Sequence, residues 1–274
     1  MTVDYFAQLW KEMNSDERSY KKGDKAAWDR RVGEFNDDGP DERLDLITGL
    51  ILDKRMLNPD STVLDIGCGP GKFALEFART ARSVTGVDIS PRMLQSAAAN
   101  AAAKGADNID LRELDWHNVD LNALGWRKKF SLVTAIMSPA LDSKEGLDKI
   151  LEASSECGLL CHFMKQTDSI IGVIKRDILH RQTVDELGNI GLYCSFNILW
   201  HYKMYPEIAY FDTVRERIRT LDEANRHYLD RLGGREDLTP AQTTAILEHL
   251  HSQAENGMVK DRTTSKIACV YWRK

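Results

Sequence analysis

The fold is decided by the stretch Val63-Leu64-Asp65-Ile66-Gly67-Cys68-Gly69-Pro70-Gly71-Lys72-Phe73, VLDIGCGPGKF. A short run that suits a buried strand enters a glycine-rich turn, and a helical pattern follows in GKFALEFARTAR. Glycine lets the backbone come close to a ligand, so the turn reads as a cradle for part of a nucleotide-like molecule. Its spacing is G-x-G-x-G. Lys72 stands where the dinucleotide fingerprint has its third glycine, and no G-K-[ST] closes a phosphate loop. Asp65 sits on the strand just before the turn, where a carboxylate reaches a ligand ammonium directly or through water.

Outward from this stretch, strands and helices alternate. SVTGVDI reads as a second strand, and Pro91 opens the helix PRMLQSAAANAAAKG, which Gly105 ends. NIDLREL, FSLVTAIM and GLLCHFM read as the next three strands, and KIACVYWRK as the last. Such alternation predicts a parallel sheet with helices on both faces. Upstream, GPDERLDLITGLILDKRML is an amphipathic helix ended by Asn58-Pro59-Asp60, and residues 1 to about 40 are polar with spaced aromatics, suggesting a flap. After Lys165 a helix, SIIGVIKRDILHRQTV, leads into the aromatic stretch LYCSFNILWHYKMYPEIAYF. A charged helical region is expected from about Thr213 to His251, broken at Gly233-Gly234. The expected organisation is an N-terminal extension, 1–58, and a main domain, 59–274, with an inserted cap around 166–262.

Two more carboxylates follow the strands. Asp88 ends the second strand, 17 residues after Gly71, where an acidic side chain suits a ribose diol. Asp115 follows the third, beside Trp116; a carboxylate accepts an exocyclic amine proton and a ring packs on a purine. Each has another reading: Asp88 and Asp115 as turn or helix caps, Trp116 as the closure of a core edge. All three carboxylates fall at or near the C-terminal ends of consecutive strands, the edge where open α/β sheets bind ligands.

VLDIGCGPG, VTGVDISPRML and ELDW together resemble the class I S-adenosylmethionine-dependent methyltransferases, over roughly residues 60 to 165. The resemblance implies a Rossmann-like, doubly wound, mostly parallel seven-stranded α/β sheet and S-adenosylmethionine as cofactor. It implies that Asp65, Gly67 and Gly69 line the methionine part, with Cys68 and Gly71 completing the turn, and that Asp88 holds the ribose. Ile89 and Met93 would flank the adenine, Met93 serving equally as core. Asp115 would meet the adenine amine and Trp116 cover its face. Met137 and Ser138 would lie near the transferred methyl.

The acceptor side is less defined. Three segments are candidates: the N-terminal aromatics around Tyr20 and Trp28, Met137-Ser138-Pro139-Ala140-Leu141, and Asn197–Tyr210 with Trp200. His201 and Tyr205 are candidate bases or acceptor-binding groups, and so is His117, which equally begins a surface helix. Methyltransferases acting on amide or exocyclic nitrogens often carry Asn-Pro-Pro-Tyr where this chain has Met-Ser-Pro-Ala, which counts against nucleic-acid N-methylation.

The 274 residues are 42% hydrophobic and 29% charged, with net charge −5, and no basic stripe marks a nucleic-acid face. Arg215, Arg217 and Arg219 alternate with acidic residues and read as a solvated helix face. No apolar run approaches a membrane span, and the N-terminus lacks signal-peptide order. Five scattered cysteines argue against a disulfide framework. Cys157, Cys161 and His162 read as a buried strand, with no second pair to complete a metal site. The expectation is a cytoplasmic monomer or homodimer that methylates a small-molecule acceptor, without metal, nucleic acid or membrane. A protein or RNA methyltransferase and a non-catalytic S-adenosylmethionine-binding protein are the alternatives.

Overall fold

The computed structural model describes residues 1–14, 25–36, 41–180, 189–233 and 238–274. The chain forms two compact units: Met1–His162 with Asn189–Phe211 and Ala268–Lys274, and Phe163–Gly188 with Asp212–Ile267. Strands β1 (Thr62–Ile66), β2 (Ser83–Asp88), β3 (Ile109–Glu113), β4 (Phe130–Ile136), β5 (Ser154–Asp168), β6 (Glu207–Thr220) and β7 (Met258–Arg273) form one sheet in the order β3-β2-β1-β4-β5-β7-β6. β3, β2, β1, β4 and β5 are parallel, and the chain end returns to the start of β5, where the Lys274 N–H donates to the Glu156 carbonyl at 2.7 Å. The expected seven-stranded, mostly parallel α/β sheet is therefore present.

In the first unit, β1 is buried on both faces from Val63 to Ile66, as expected of a central parallel strand. Helices α1 (Val3–Asn14), α2 (Lys25–Arg30), α3 (Val32–Phe35) and α4 (Glu42–Asp53) precede it. α5 (Lys72–Ala78) starts at the glycine turn and buries Ala74, Leu75 and Phe77. α6 (Pro91–Lys104) is capped by Ser90, whose Oγ accepts from the Met93 N–H at 3.1 Å, and ends on left-handed Gly105. α7 (Lys144–Ala153) is capped by Ser143. The sheet order reverses between β1 and β4, and the cleft beyond their C-terminal ends is where such folds take ligands.

The second unit has its own core, in which Ile170, Ile174, Tyr228, Ile246 and Leu250 are buried. α8 (Ser169–Val173) is capped by Asp168 and runs into a π-helical turn, Ile174–Ile178. The last residues of the helix expected from Ser169 to Val184, 181–184, lie outside those described. In the first unit, α9 (Ile190–His201) carries the front half of the aromatic stretch.

One expectation is corrected. Thr213–Thr220, read as the start of a charged helix, belongs to β6; the helices there are α10 (Leu221–Gly233) and α11 (Pro240–Gln253). Burial alternates along the strand, with Val214, Glu216 and Ile218 exposed and Arg215, Arg217 and Arg219 half-buried. The arginines thus share one face at period two rather than a solvated helix face. Arg219 is paired with Asp261, and Arg231 with Asp168 at 2.9 Å. Among the described residues no helix is long and apolar enough to cross a membrane.

Candidate functional site

The glycine turn is pinned to the neighbouring strand. The N–H groups of Gly67 and Cys68 both donate to the Val87 carbonyl, at 2.8 and 3.0 Å. Gly67, Gly69 and Gly71 all have positive φ, at 70°, 53° and 84°, conformations that cost an L side chain about 1–2 kcal/mol. At Gly67 there is also no room: a Cβ there would lie inside the Ser138 hydroxyl and 2.9 Å from the Ser138 Cβ. The loop after β4 is therefore seated directly on the turn. At Gly69 a Cβ would meet nothing within 4 Å. The backbone there faces open space.

Asp65 is 2% exposed. It lies opposite Thr134 in the β1–β4 register, and the Thr134 Oγ1 donates to its Oδ1 at 2.8 Å. Burial, reinforced by the nearby Asp88 charge and only partly offset by the threonine bond, pushes its carboxyl up to about 7. Among the described residues no cation pairs with it. A buried acidic group without a cation, beside a glycine cradle, fits the α-ammonium of an amino-acid-like ligand.

Asp88 is half-buried and joins two turns. Its Oδ2 accepts from the Gly69 N–H and its Oδ1 from the Ser90 N–H, each at 2.9 Å. Burial pushes its carboxyl up against these bonds. The carboxylate's remaining lone pairs are what a ribose diol would use. α2 is fastened over the same corner: Ser90 Oγ donates to Asp29 Oδ1 at 2.5 Å, and Lys25 pairs with Glu113. Trp28, on α2, is half-buried with the Arg31 guanidinium 5.0 Å from its ring centre.

Ile89 is half-buried after β2, while Met93 is 3% exposed and belongs to the core. Asp115 is half-buried and shapes its own turn, accepting from the His117 N–H at 3.0 Å and Asn118 Nδ2 at 2.7 Å. Trp116 departs from its expected role. It is 2% exposed, and its indole N–H donates to the Gly146 carbonyl at 3.2 Å. A ring packed against α7 with its donor satisfied has no free face for an adenine. Met137 is half-buried at φ 53°, Ser138 is 1% exposed, and Pro139 is exposed beside them.

The structure thus gathers Asp65, Gly67, Cys68, Gly69, Gly71, Asp88, Ile89, Asp115, Met137 and Ser138 at one end of the parallel strands. It separates Trp200, His201 and Tyr205 from them. β6 starts at Glu207, which takes Lys54 Nζ at 2.6 Å and the Tyr271 hydroxyl at 3.0 Å. Lys54 follows α4, ahead of β1; Arg273 Nη2 donates to the Arg55 carbonyl, and Lys274 Nζ to that of Ser154, where β5 begins. The segment before β6 therefore lies at the N-terminal edge of the sheet, opposite the glycine turn. There Trp200 and Tyr205 are 54% and 65% exposed, ring to ring at 5.7 Å, and the exposed His201 stands 5.9 Å from Phe6. Tyr20 lies outside the described residues.

Sequence reasoning missed Thr134, whose pairing with Asp65 depends on strand register, and Asp29, which becomes relevant only once α2 is docked. His162, read from the sequence as part of a buried strand, lies on β5. Its imidazole is half-buried and hydrogen-bonded to the Ser138 backbone, and desolvation pushes it down to about 4.

Residues 57–177 match the family model described as "Methyltransferase domain". The chain carries a class I S-adenosylmethionine-dependent methyltransferase domain, whose methyl donor is S-adenosylmethionine. Among curated proteins it is 38% identical over 73 residues to the 23S rRNA (uracil(1939)-C(5))-methyltransferase RlmD of Photobacterium angustum, which covers 27% of this chain and 33% of that one. To RlmD of Aeromonas salmonicida it is 39% identical over 82 residues, covering 30% and 18%. The chain spans a third or less of the length of these relatives. Among solved structures, the YcgJ protein from Bacillus subtilis aligns with 82% of this chain and 97% of its own at 17% identity, TM-score 0.49. A methyltransferase from Thiobacillus denitrificans in complex with S-adenosylhomocysteine aligns with 88% and 96% at 16% identity, TM-score 0.47.

Proposed function

We propose that this protein transfers the methyl group of S-adenosylmethionine to a small-molecule acceptor by in-line displacement, releasing S-adenosylhomocysteine. The observation that carries the cofactor part is Asp65, a buried carboxyl with no cation among the described residues, on the strand that leads into three left-handed glycines. In this reading Asp65 takes the α-ammonium, the open backbone at Gly69 meets the methionine portion, and Asp88 accepts the ribose hydroxyls. Ile89 and Asp115 stand on the adenine side, and Met137 and Ser138 face the methyl. The chain's task is positioning and exclusion of water, which supply much of the rate in such displacements. Segment 1–58 serves as an N-terminal extension to the 59–274 domain, its inserted cap around 166–262.

The small-molecule assignment is supported by the net charge of −5 and by Met137-Ser138-Pro139-Ala140 in place of a nitrogen-binding Asn-Pro-Pro-Tyr. The partial likeness to rRNA methyltransferases favours a second reading, an RNA acceptor. Calorimetric titration with S-adenosylmethionine and S-adenosylhomocysteine tests the cofactor; micromolar binding of both is expected, and binding of neither refutes the reading. Tritiated methyl donor then separates the acceptors: label entering a deproteinised small-metabolite extract supports the first reading. Label entering only purified ribosomal RNA supports the second.

A further inference from the structure

The loops that leave β3 and β4 meet across a histidine and an aspartate. His117 follows Asp115 by two residues, and Asp142 follows Ser138 by four. The His117 Nδ1 lies 3.5 Å from the Asp142 Oδ1, with the imidazole 31% and the carboxylate 12% exposed. The carboxylate is thus the inner partner and the ring the outer one. The backbone around the ring is tied down on three sides: the His117 N–H donates to Asp115 Oδ1 at 3.0 Å, its carbonyl accepts from Lys149 Nζ at 2.5 Å, and Trp116 is anchored on Gly146. The Asp142 side is held by Ser143, which caps α7, and by Ser138, which rests on Gly67 of the glycine turn. A histidine whose Nδ1–H faces a carboxylate offers its Nε2 lone pair outward, the arrangement of a base with its orienting group.

We infer that His117, oriented by Asp142, is the general base of this domain and that the acceptor is a hydroxyl or N–H group that carries its proton at neutral pH. The inference rests on the methyltransferase reading above. The acceptor's lone pair forms the bond to the methyl carbon, and the carbon–sulfur pair withdraws to sulfur, leaving S-adenosylhomocysteine. The acceptor's proton passes to Nε2, and the imidazolium is held by the Asp142 carboxylate, which stays ionised. Asp142 is a positioning residue. Among the described residues, the charged groups that meet His117 are Asp142 at the ring, from the loop after β4, and Asp115 of its own turn and Lys149 of α7 at its backbone.

A histidine that merely staples two loops would not sense the sulfonium, and this gives a test that needs no acceptor. Protein labelled with ¹⁵N-histidine is titrated by NMR in two complexes, with S-adenosylmethionine and with S-adenosylhomocysteine, each verified as saturated by calorimetry. His117→Gln identifies the resonance. The two ligands fill the same space and differ by the methyl and its charge. The expected result is a His117 midpoint lower by about half a pH unit or more with S-adenosylmethionine, because a nearby positive charge disfavours the imidazolium. His201, at the opposite edge, is unmoved. The neutral His117 ring carries its proton on Nδ1, and Asp142→Ala shifts it toward Nε2. Coincident midpoints in two saturated complexes, or a neutral ring protonated on Nε2 in the unsubstituted protein, overturn the assignment while leaving the cofactor reading intact. Binding of neither ligand overturns both.

Discussion

Replacing Asp65 by Asn is expected to stabilise the free protein, and to do so in a pH-dependent way. The side chains have the same shape, and the amide oxygen still accepts from Thr134. What differs is charge. The folded protein holds the Asp65 carboxyl at about 7 against a usual 3.8. At about 1.4 kcal/mol per unit, that amounts to about 4 kcal/mol lost once both states are ionised. Because the folded value is the higher one, no penalty exists below the unfolded value. It sets in above pH 4, grows by about 1.4 kcal/mol per pH unit, and levels off above pH 7. For 274 residues, 4 kcal/mol corresponds to a melting shift of about 7 °C. The assay is thermal unfolding of both proteins from pH 4 to pH 8. A burial cost for the amide N–H₂ would lower the whole curve equally, so the slope with pH is the test. A difference that does not change between pH 4 and pH 8 would refute the claim that burial holds this carboxyl protonated.

Four further substitutions separate roles that lie close together. Asp88→Ala removes acceptors for two backbone N–H groups and, in this reading, for the ribose; the dissociation constant for S-adenosylhomocysteine should rise by about tenfold to a hundredfold, at about 1.4 kcal/mol per tenfold, with the circular dichroism spectrum retained. Unchanged affinity there would sink the ribose assignment. Gly69→Val enters open space but forces a branched residue to φ 53°; stability should fall by about 1–2 kcal/mol in urea titration while calorimetry detects no cofactor binding. Trp116→Phe breaks the bond to Gly146 and should cost about 1–3 kcal/mol with cofactor affinity within twofold of normal; a large loss of affinity would return the ring to the adenine site. Tyr205→Phe changes a hydroxyl on a 65% exposed side chain at the far edge, so both stability, within about 0.5 kcal/mol, and cofactor affinity should hold.

The strands and helices that carry the cofactor site were legible because their signals are local. β1 and its glycine turn, Pro91 and Gly105 at the two ends of α6, and the alternation of strand and helix need only a few neighbouring residues to be read. β6 was misread because an edge strand with one half-buried face can be built from charged residues: Arg215, Arg217 and Arg219 hold one side while Glu216 and Ile218 face solvent. The Asp65–Thr134 bond spans 69 positions and depends on strand register. The surroundings of Trp200, His201 and Tyr205 were not legible either, for a topological reason. They precede β6, and which edge that strand starts from is set by Glu207 meeting Lys54 and Tyr271, contacts that no local pattern announces.

The energetics of Asp65 bear on function as well as stability. A site with a threonine donor and, among the described residues, no cation is served by asparagine at every pH, and by aspartate at a cost of about 4 kcal/mol above pH 7. That cost is recovered when a positive charge enters, because an ammonium beside the carboxylate favours its ionised form. The α-ammonium of the methyl donor supplies such a charge, whereas a neutral or anionic ligand does not. Under the proposed assignment the strain of the free state would be converted into preference for an amino-acid-bearing ligand. In the proposed reading, the same carboxyl that makes the unliganded domain less stable above neutral pH also makes its glycine cradle selective, and Asp65→Asn should exchange one property for the other: higher stability above pH 7, weaker binding of S-adenosylhomocysteine in calorimetry.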